Sequence, residues 1–169
     1  MDHVFVGGIS VLAFGVVRTT VDVDVVARIP PVKVPMIAAA LARAGFRASR
    51  QDLEDAIAEG SHCTIQDVRS PFRIDLSPAW TEADRHALRT RRFVRWRRLT
   101  LPVAAPEHTI VMKLRYGSEQ DLEDATGIYV RQPRLNVRAM RGFARDQRVS
   151  KRLAGLERRA RSLVRRKRR

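Results

Sequence analysis

An α+β fold is predicted, a mixed-sheet α/β half followed by a helical half, and three observations predict it. Strand patterning recurs at residues 21–26, 63–68, 72–76 and 93–100 and then stops. Helix-start signals take over beyond it, at Pro106, Ser118 and Asn136. The size and composition fit one globular chain: 169 residues, 44% hydrophobic and 30% charged, can bury a sizeable core without staples.

The elements read in order as follows. A short strand at 3–6 runs into Gly7-Gly8 and a helical turn or two over 9–14. Residues 21–26 alternate with period two, so the strand there has two unlike faces, and Pro30-Pro31 closes it. An Ala-rich helix over 34–44 ends at Gly45, and a second helix starts at Ser49. Strands at 63–68 and 72–76 flank a turn at Ser70-Pro71. One further strand, 93–100, carries arginines on one face. Pro106 opens a helix through Leu114, Ser118 caps another to about Val130, and residues from Asn136 onward read as helix to the end. Three segments result: 1–104 bearing the sheet, 105–147 helical, and 148–169 a basic tail, helical or disordered.

Charge says more about partners than about fold. Lys and Arg number 33 against 18 Asp and Glu, a net of +15. Residues 145–169 hold twelve basic and two acidic residues, so +10 of that sits in the tail. A polyanionic partner, nucleic acid or anionic lipid, is expected. One cysteine excludes a disulfide framework and a CxxC metal knuckle. The longest apolar stretch, 4–17, is too short to span a bilayer and lacks a basic leader segment, so a cytoplasmic chain without a membrane span is expected.

Asp22 and Asp24 are the most informative pair. Residues i and i+2 of a strand project from one face about 7 Å apart. Aspartate is a poor strand former, so two on one face ask for a compensating cation such as Mg²⁺; the plainer alternative is a solvent-facing strand edge. Upstream lie Gly7, Gly8 and Ser10, where glycines let backbone N–H groups approach phosphate and a hydroxyl adds a donor at a helix start. Gly15, Arg18 and Thr20 complete the string GGIS-x4-G-x2-R-x-T-x-D-x-D.

At this string the chain resembles the nucleotidyltransferase superfamily with the polymerase-β-like fold, in particular the AbiEii-type toxin branch of bacterial type IV toxin–antitoxin systems. The resemblance implies that Gly7, Gly8, Ser10, Arg18 and Thr20 meet the phosphates of an NTP, while Asp22 and Asp24 hold Mg²⁺ or Mn²⁺. Two metals would stabilise in-line displacement at the α-phosphate, releasing pyrophosphate. Such enzymes take a third carboxylate from a later strand. Asp75 is preferred to Asp67, because its neighbours Ile74 and Leu76 read as buried and a charge between them needs a reason. A second stretch, Pro106-Glu107-x5-Lys113-Leu114-x6-Asp121-x2-Asp124, resembles the family's lysine-containing motif, which implies Lys113 against triphosphate charge and Asp121 orienting it or the acceptor. The plainer alternative is a solvated lysine and a helix cap.

An internal control bears on that motif. Residues 49–56 (SRQDLEDA) and 118–125 (SEQDLEDA) agree at seven of eight positions, so the octapeptide alone is helix-start chemistry. Whatever attaches to the second copy must come from its surroundings. The resemblance covers residues 4–125 and departs from the family in having only three residues before Val4, where a helix is usual.

The implied activity is transfer of NMP from an NTP to an acceptor hydroxyl, with RNA (the tRNA 3′ end) as acceptor and an antitoxin protein as partner. The rivals are a small-molecule nucleotidyltransferase and a non-catalytic RNA-binding protein on the same fold. His3, His62, His86 and His108 show no metal-ligand spacing, and Cys63 reads as a buried, inert thiol. Trp80 and Trp96 read as core or junction residues, although Arg95-Trp96-Arg97-Arg98 would suit stacking on RNA. In the tail, Leu153, Leu156, Leu163 and Val164 form a helical stripe for an RNA clamp or partner-docking helix, and 165–169 are alternatively disordered until bound.

Overall fold

The computed structural model describes residues 1–167, with side chains through Ser162. The side chains of 163–167 and residues 168–169 lie outside what it describes, so the expected stripe positions Leu163 and Val164 and the reading of 165–169 as disordered until bound fall at or beyond that limit. The chain divides into two compact units, Met1–Ile9 with Thr19–Ala104 and Ser10–Arg18 with Ala105–Arg169.

The first unit is a seven-stranded mixed sheet with helices, which places the chain in the α+β class. Its strands are β1 (Asp2–Phe5), β2 (Asp22–Arg28), β3 (Phe46–Arg47), β4 (Cys63–Asp67), β5 (Arg73–Pro78), β6 (Arg92–Trp96) and β7 (Leu99–Val103), in the order β3-β4-β5-β2-β1-β7-β6. The β2–β5 and β1–β7 pairs are parallel and the others antiparallel. Helix α1 (Gly7–Ala13) follows β1 directly.

Alternation along β2 sets the core. Val25 and Ala27 face α2 (Val34–Arg43) and α3 (Arg50–Glu59), sharing a cluster with Val34, Leu53, Ala56, Ile65 and Leu76. Val26, on the other face, lies with Val4 and Ala104 against Ala87 and Leu88 of α4 (Glu82–Thr90). Each large aliphatic side chain buried this way contributes about 1.5–3 kcal/mol. Asp22 and Asp24 share the face of Val26 by their even spacing. Cys63 sits inside the first cluster, and burial first, then the charges of Asp52 and Asp75, push its thiol pKa up. It is an inert core residue.

Three details of this unit depart from the sequence reading. Helix α4 carries no strong apolar signal, because the stripe it buries is two alanines and a leucine within a charged run. A full capping box starts it: Thr81 Oγ1 accepts from Asp84 N (3.1 Å) and Asp84 Oδ2 accepts from Thr81 N (2.8 Å). The single strand expected over 93–100 is a hairpin instead, since Arg97 takes φ +52° and the chain reverses between Trp96 and Leu99. No glycine or asparagine marks that turn, so the usual signal is missing. Trp80 and Trp96 are not core residues; they are 51% and 46% exposed. Trp80 instead covers Gly60, the left-handed residue that ends α3.

The second unit holds α5 (Pro106–Tyr116), α6 (Glu119–Arg131), α7 (Val137–Asp146) and α8 (Ser150–Lys167). Ile110, Leu114, Ile128, Met140 and Ala144 are fully buried in it. The one long helix expected from Asn136 is two, broken where Arg148 adopts φ +59°. Helix α8 packs on α5, α6 and α7, and the expected stripe residues Leu153 and Leu156, with Ala160, are buried. Glu107 caps the start of α7 by accepting from Asn136 N (2.6 Å). Among the described residues no helix is long and apolar enough to cross a membrane.

Ile65 is 0% exposed at the centre of the first unit's larger cluster. Ile65→Ala is expected to lose about 2–5 kcal/mol, read as a lowered urea midpoint at constant slope; an unmoved midpoint would contradict this packing.

Candidate functional site

The sheet unit assembles a block of charge from two strands. Parallel pairing sets Asp24 opposite Asp75 and Asp22 opposite Arg73. In-register side chains of neighbouring strands project from one face about 5 Å apart. Asp22, Asp24, Asp75 and Arg73 therefore occupy the four corners of one patch. Arg73 Nη2 lies 3.2 Å from Asp22 Oδ2, and its Nε lies 3.4 Å from Asp75 Oδ2. Two hydroxyls hold the outer oxygens. Thr20 Oγ1 donates to Asp22 Oδ1 (2.7 Å), and Thr64 Oγ1 donates to Asp75 Oδ1 (2.6 Å).

Asp24 leans the other way, against the start of α1. A methyl group added at Gly7 would lie 1.9 Å from Asp24 Oδ2, and one at Gly8 would lie 2.7 Å from Thr20 Oγ1. Gly7 also takes φ +54°. The two glycines thus make room for protein side chains that belong to the patch itself. Asp67 is elsewhere. It closes the β4–β5 turn, and hydrogen bonds from Ser70 Oγ (2.7 Å) and Arg69 N (3.0 Å) hold its carboxyl below the usual range. Asp75 is the carboxylate that the sheet brings beside Asp24.

Among the described residues no three His, Cys, Asp or Glu side chains form a group that could hold a metal ion. The positive corner of the patch is an arginine. As a donor set, three carboxylates supply oxygen alone, which is what Mg²⁺ or Mn²⁺ takes. Asp22 and Asp75 are 33% and 20% exposed at the side chain, so both are reachable. Oxygen-only donors are of the kind a hard divalent cation takes, but the three are not gathered into a metal-holding group and Arg73 occupies two of them.

The helical unit assembles a second charged group. Lys113 Nζ lies 2.7 Å from Asp121 Oδ1 and 3.0 Å from Asp124 Oδ2, and Arg18 Nη1 lies 2.8 Å from Asp124 Oδ2. The four side chains are between 4% and 19% exposed, two cations against two anions. Asp121 is also the cap: its Oδ2 accepts from Ser118 N (3.2 Å) and Oγ (2.7 Å). Burial alone pushes the Asp121 carboxyl up, but the hydrogen bonds from Lys113 and Ser118 outweigh it, and it lies below its ordinary value. Ser10 is fully buried in this unit, and its Oγ accepts from Thr109 Oγ1 (3.2 Å).

The octapeptide control now has a physical outcome. In α3 the first copy leaves Asp52 and Asp55 exposed, with Asp55 meeting Gln51 Nε2 (2.8 Å). In α6 the corresponding Asp121 and Asp124 meet Lys113 and Arg18. Of the residues singled out from sequence, Gly7, Gly8, Thr20, Asp22, Asp24 and Asp75 belong to the sheet unit, and Ser10, Arg18, Lys113 and Asp121 to the helical unit. Sequence reasoning missed Arg73, although its i, i+2 spacing to Asp75 is visible there, and gave Asp124 no role.

Two outcomes follow. Gly7→Ala adds a strained backbone and a clash with Asp24, and should cost about 1–3 kcal/mol in chemical denaturation. Asp121, with its folded pKa lowered, contributes stability that is present above its unfolded value near 4 and is lost as pH falls through the folded one. Asp121→Asn should therefore melt lower than the parent at pH 7, with the gap closing below about pH 4; a gap independent of pH would contradict the ion pair. Compared with known proteins, the chain matches no family model and no curated sequence.

Proposed function

We propose that the protein is a divalent-metal-dependent nucleotidyltransferase that moves NMP from an NTP to an acceptor hydroxyl, with RNA as the acceptor. The observation that carries this reading is the in-register placement of Asp22, Asp24 and Asp75 on one face of β2 and β5. Those three would hold Mg²⁺ or Mn²⁺, which supplies Lewis-acid polarisation of phosphate oxygens and a more acidic acceptor hydroxyl when bound. Arg73 then gives up its two carboxylates and offers its guanidinium to phosphate charge, a role its planar fork suits. Gly7 and Gly8 keep the backbone at the head of α1 free of side chains. Lys113 and Arg18, which the family resemblance implies against phosphate charge, are each partnered by Asp121 or Asp124 within the helical unit.

The choice of RNA rests on charge. A net of +15 favours a polyanionic acceptor, whereas a small-molecule acceptor gives that charge no use. Within this reading the acceptor is the tRNA 3′ end, the setting is the cytoplasm, and the chain is the toxin of a pair with an antitoxin. A second reading, a non-catalytic RNA-binding protein, is favoured by one observation: Arg73 already satisfies two of the three carboxylates.

The test is incubation with Mg²⁺, each α-labelled NTP in turn and total bacterial RNA. Label should enter a tRNA-sized band with the parent chain and fall by about 10³-fold or more in Asp22→Asn/Asp24→Asn, the scale of losing preorganised charge at a reacting group. Label retained by that variant would remove the carboxylates from the site. No label with any NTP, on RNA or on small alcohols, would leave the binding-protein reading.

A further inference from the structure

The tip of the β6–β7 hairpin exposes apolar surface that the sheet does not use. Trp96 and Leu99 pair across the turn and are 46% and 64% exposed. Beneath them runs a concave groove of about 760 Å³, lined by Phe5, Val23, Trp96, Leu99, Arg97 and Arg98 among others, all from the sheet unit. Residues 89–98 carry six arginines and no acid. Among the described residues, Arg92, Arg97 and Arg98 make no side-chain hydrogen bond or ion pair. By contrast Arg85 and Arg89, just upstream, are both held by Glu82.

β6 is an edge strand, and arginines there guard against pairing with another chain. Protection alone does not account for a tryptophan and a leucine left open at the same tip. Both features are what an unstacked nucleotide strand requires: a ring face and an apolar cleft for bases, with unengaged guanidinium groups for phosphates. A duplex offers phosphates but no free base faces, since its bases are stacked inward. A membrane surface calls for apolar groups that only protrude into the lipid, whereas Trp96 and Leu99, exposed at the tip, also line the groove beneath it.

We infer that the β6–β7 hairpin is a docking platform for a single-stranded segment of RNA, with Trp96 stacking on a base and Arg97 and Arg98 meeting the backbone. The choice of RNA among single strands rests on the transferase reading; the stacking and charge do not. The platform takes the unpaired end of the acceptor.

The test is fluorescence anisotropy of the full chain with a labelled ten-nucleotide uridine-rich RNA, alone and annealed to its complement. Trp96→Ala should weaken binding about tenfold or more, Trp96→Phe should stay within about threefold, and annealing should weaken it as the base faces are hidden. Arg97→Gln/Arg98→Gln should flatten the salt dependence by about 0.7 for each phosphate that the two arginines neutralise. Equal affinity for the parent chain and Trp96→Ala would overturn the platform, as would tighter binding to the annealed RNA. Binding to phosphatidylserine vesicles that RNA does not displace would overturn it in favour of a lipid surface. Asp22→Asn/Asp24→Asn should keep the RNA affinity. If the parent chain transfers no nucleotide yet binds through Trp96, the transferase reading fails and the platform stands; if transfer proceeds and Trp96→Ala binds normally, the platform alone fails.

Discussion

Three carboxylates held side by side on a sheet repel one another. Asp24 and Asp75 face each other across the strand pair, and Asp22 stands one strand step further along the same face. Parallel pairing of β2 with β5 enforces that proximity, because it is fixed by the apolar residues on the opposite face: Val25, Leu76 and Ile74 cannot leave the core without taking the register with them. The charge on the exposed face must therefore be answered where it stands. Arg73, Thr20 and Thr64 answer it in this structure.

The same constraint explains the glycines. Asp24 turns toward α1, where an ordinary side chain at Gly7 would collide with it. The glycine pair, read from sequence as room for phosphate, is here first of all room for a carboxylate and a hydroxyl. The helical unit meets a similar demand by itself: Asp121 and Asp124 are drawn under Lys113 and Arg18, and the group is neutral as a whole. A buried group of that kind is weak evidence for stability and better evidence for a fixed arrangement.

Much of this is legible in the sequence. The alternation of β2, the caps at Ser49, Ser118 and Asn136, and the proline at the head of α5 all leave direct local signals. The preference for Asp75 over Asp67 rests on one asymmetry, a charge between two apolar residues, Ile74 half-buried and Leu76 buried in the structure. What escapes has no local signal. Helix α4 buries mostly alanine, the hairpin turns on an arginine at φ +52°, and α7 and α8 part at Arg148 without glycine or proline. The near-identical octapeptides mark the limit most clearly, since 49–56 and 118–125 differ in environment and hardly at all in sequence. Arg73 is one arginine among many in a basic chain, and only the strand register singles it out as the partner of Asp22 and Asp75.

The most direct measurement is a Mn²⁺ titration of the full chain followed by electron paramagnetic resonance of the free ion. Saturable loss of free Mn²⁺ is expected in the parent chain, with about tenfold weaker uptake in Asp24→Asn, and tighter uptake in Arg73→Ala, where the internal competitor is gone. Uptake that is absent, or unchanged across the three chains, would contradict the proposal that the β2–β5 carboxylates take a divalent cation in competition with Arg73.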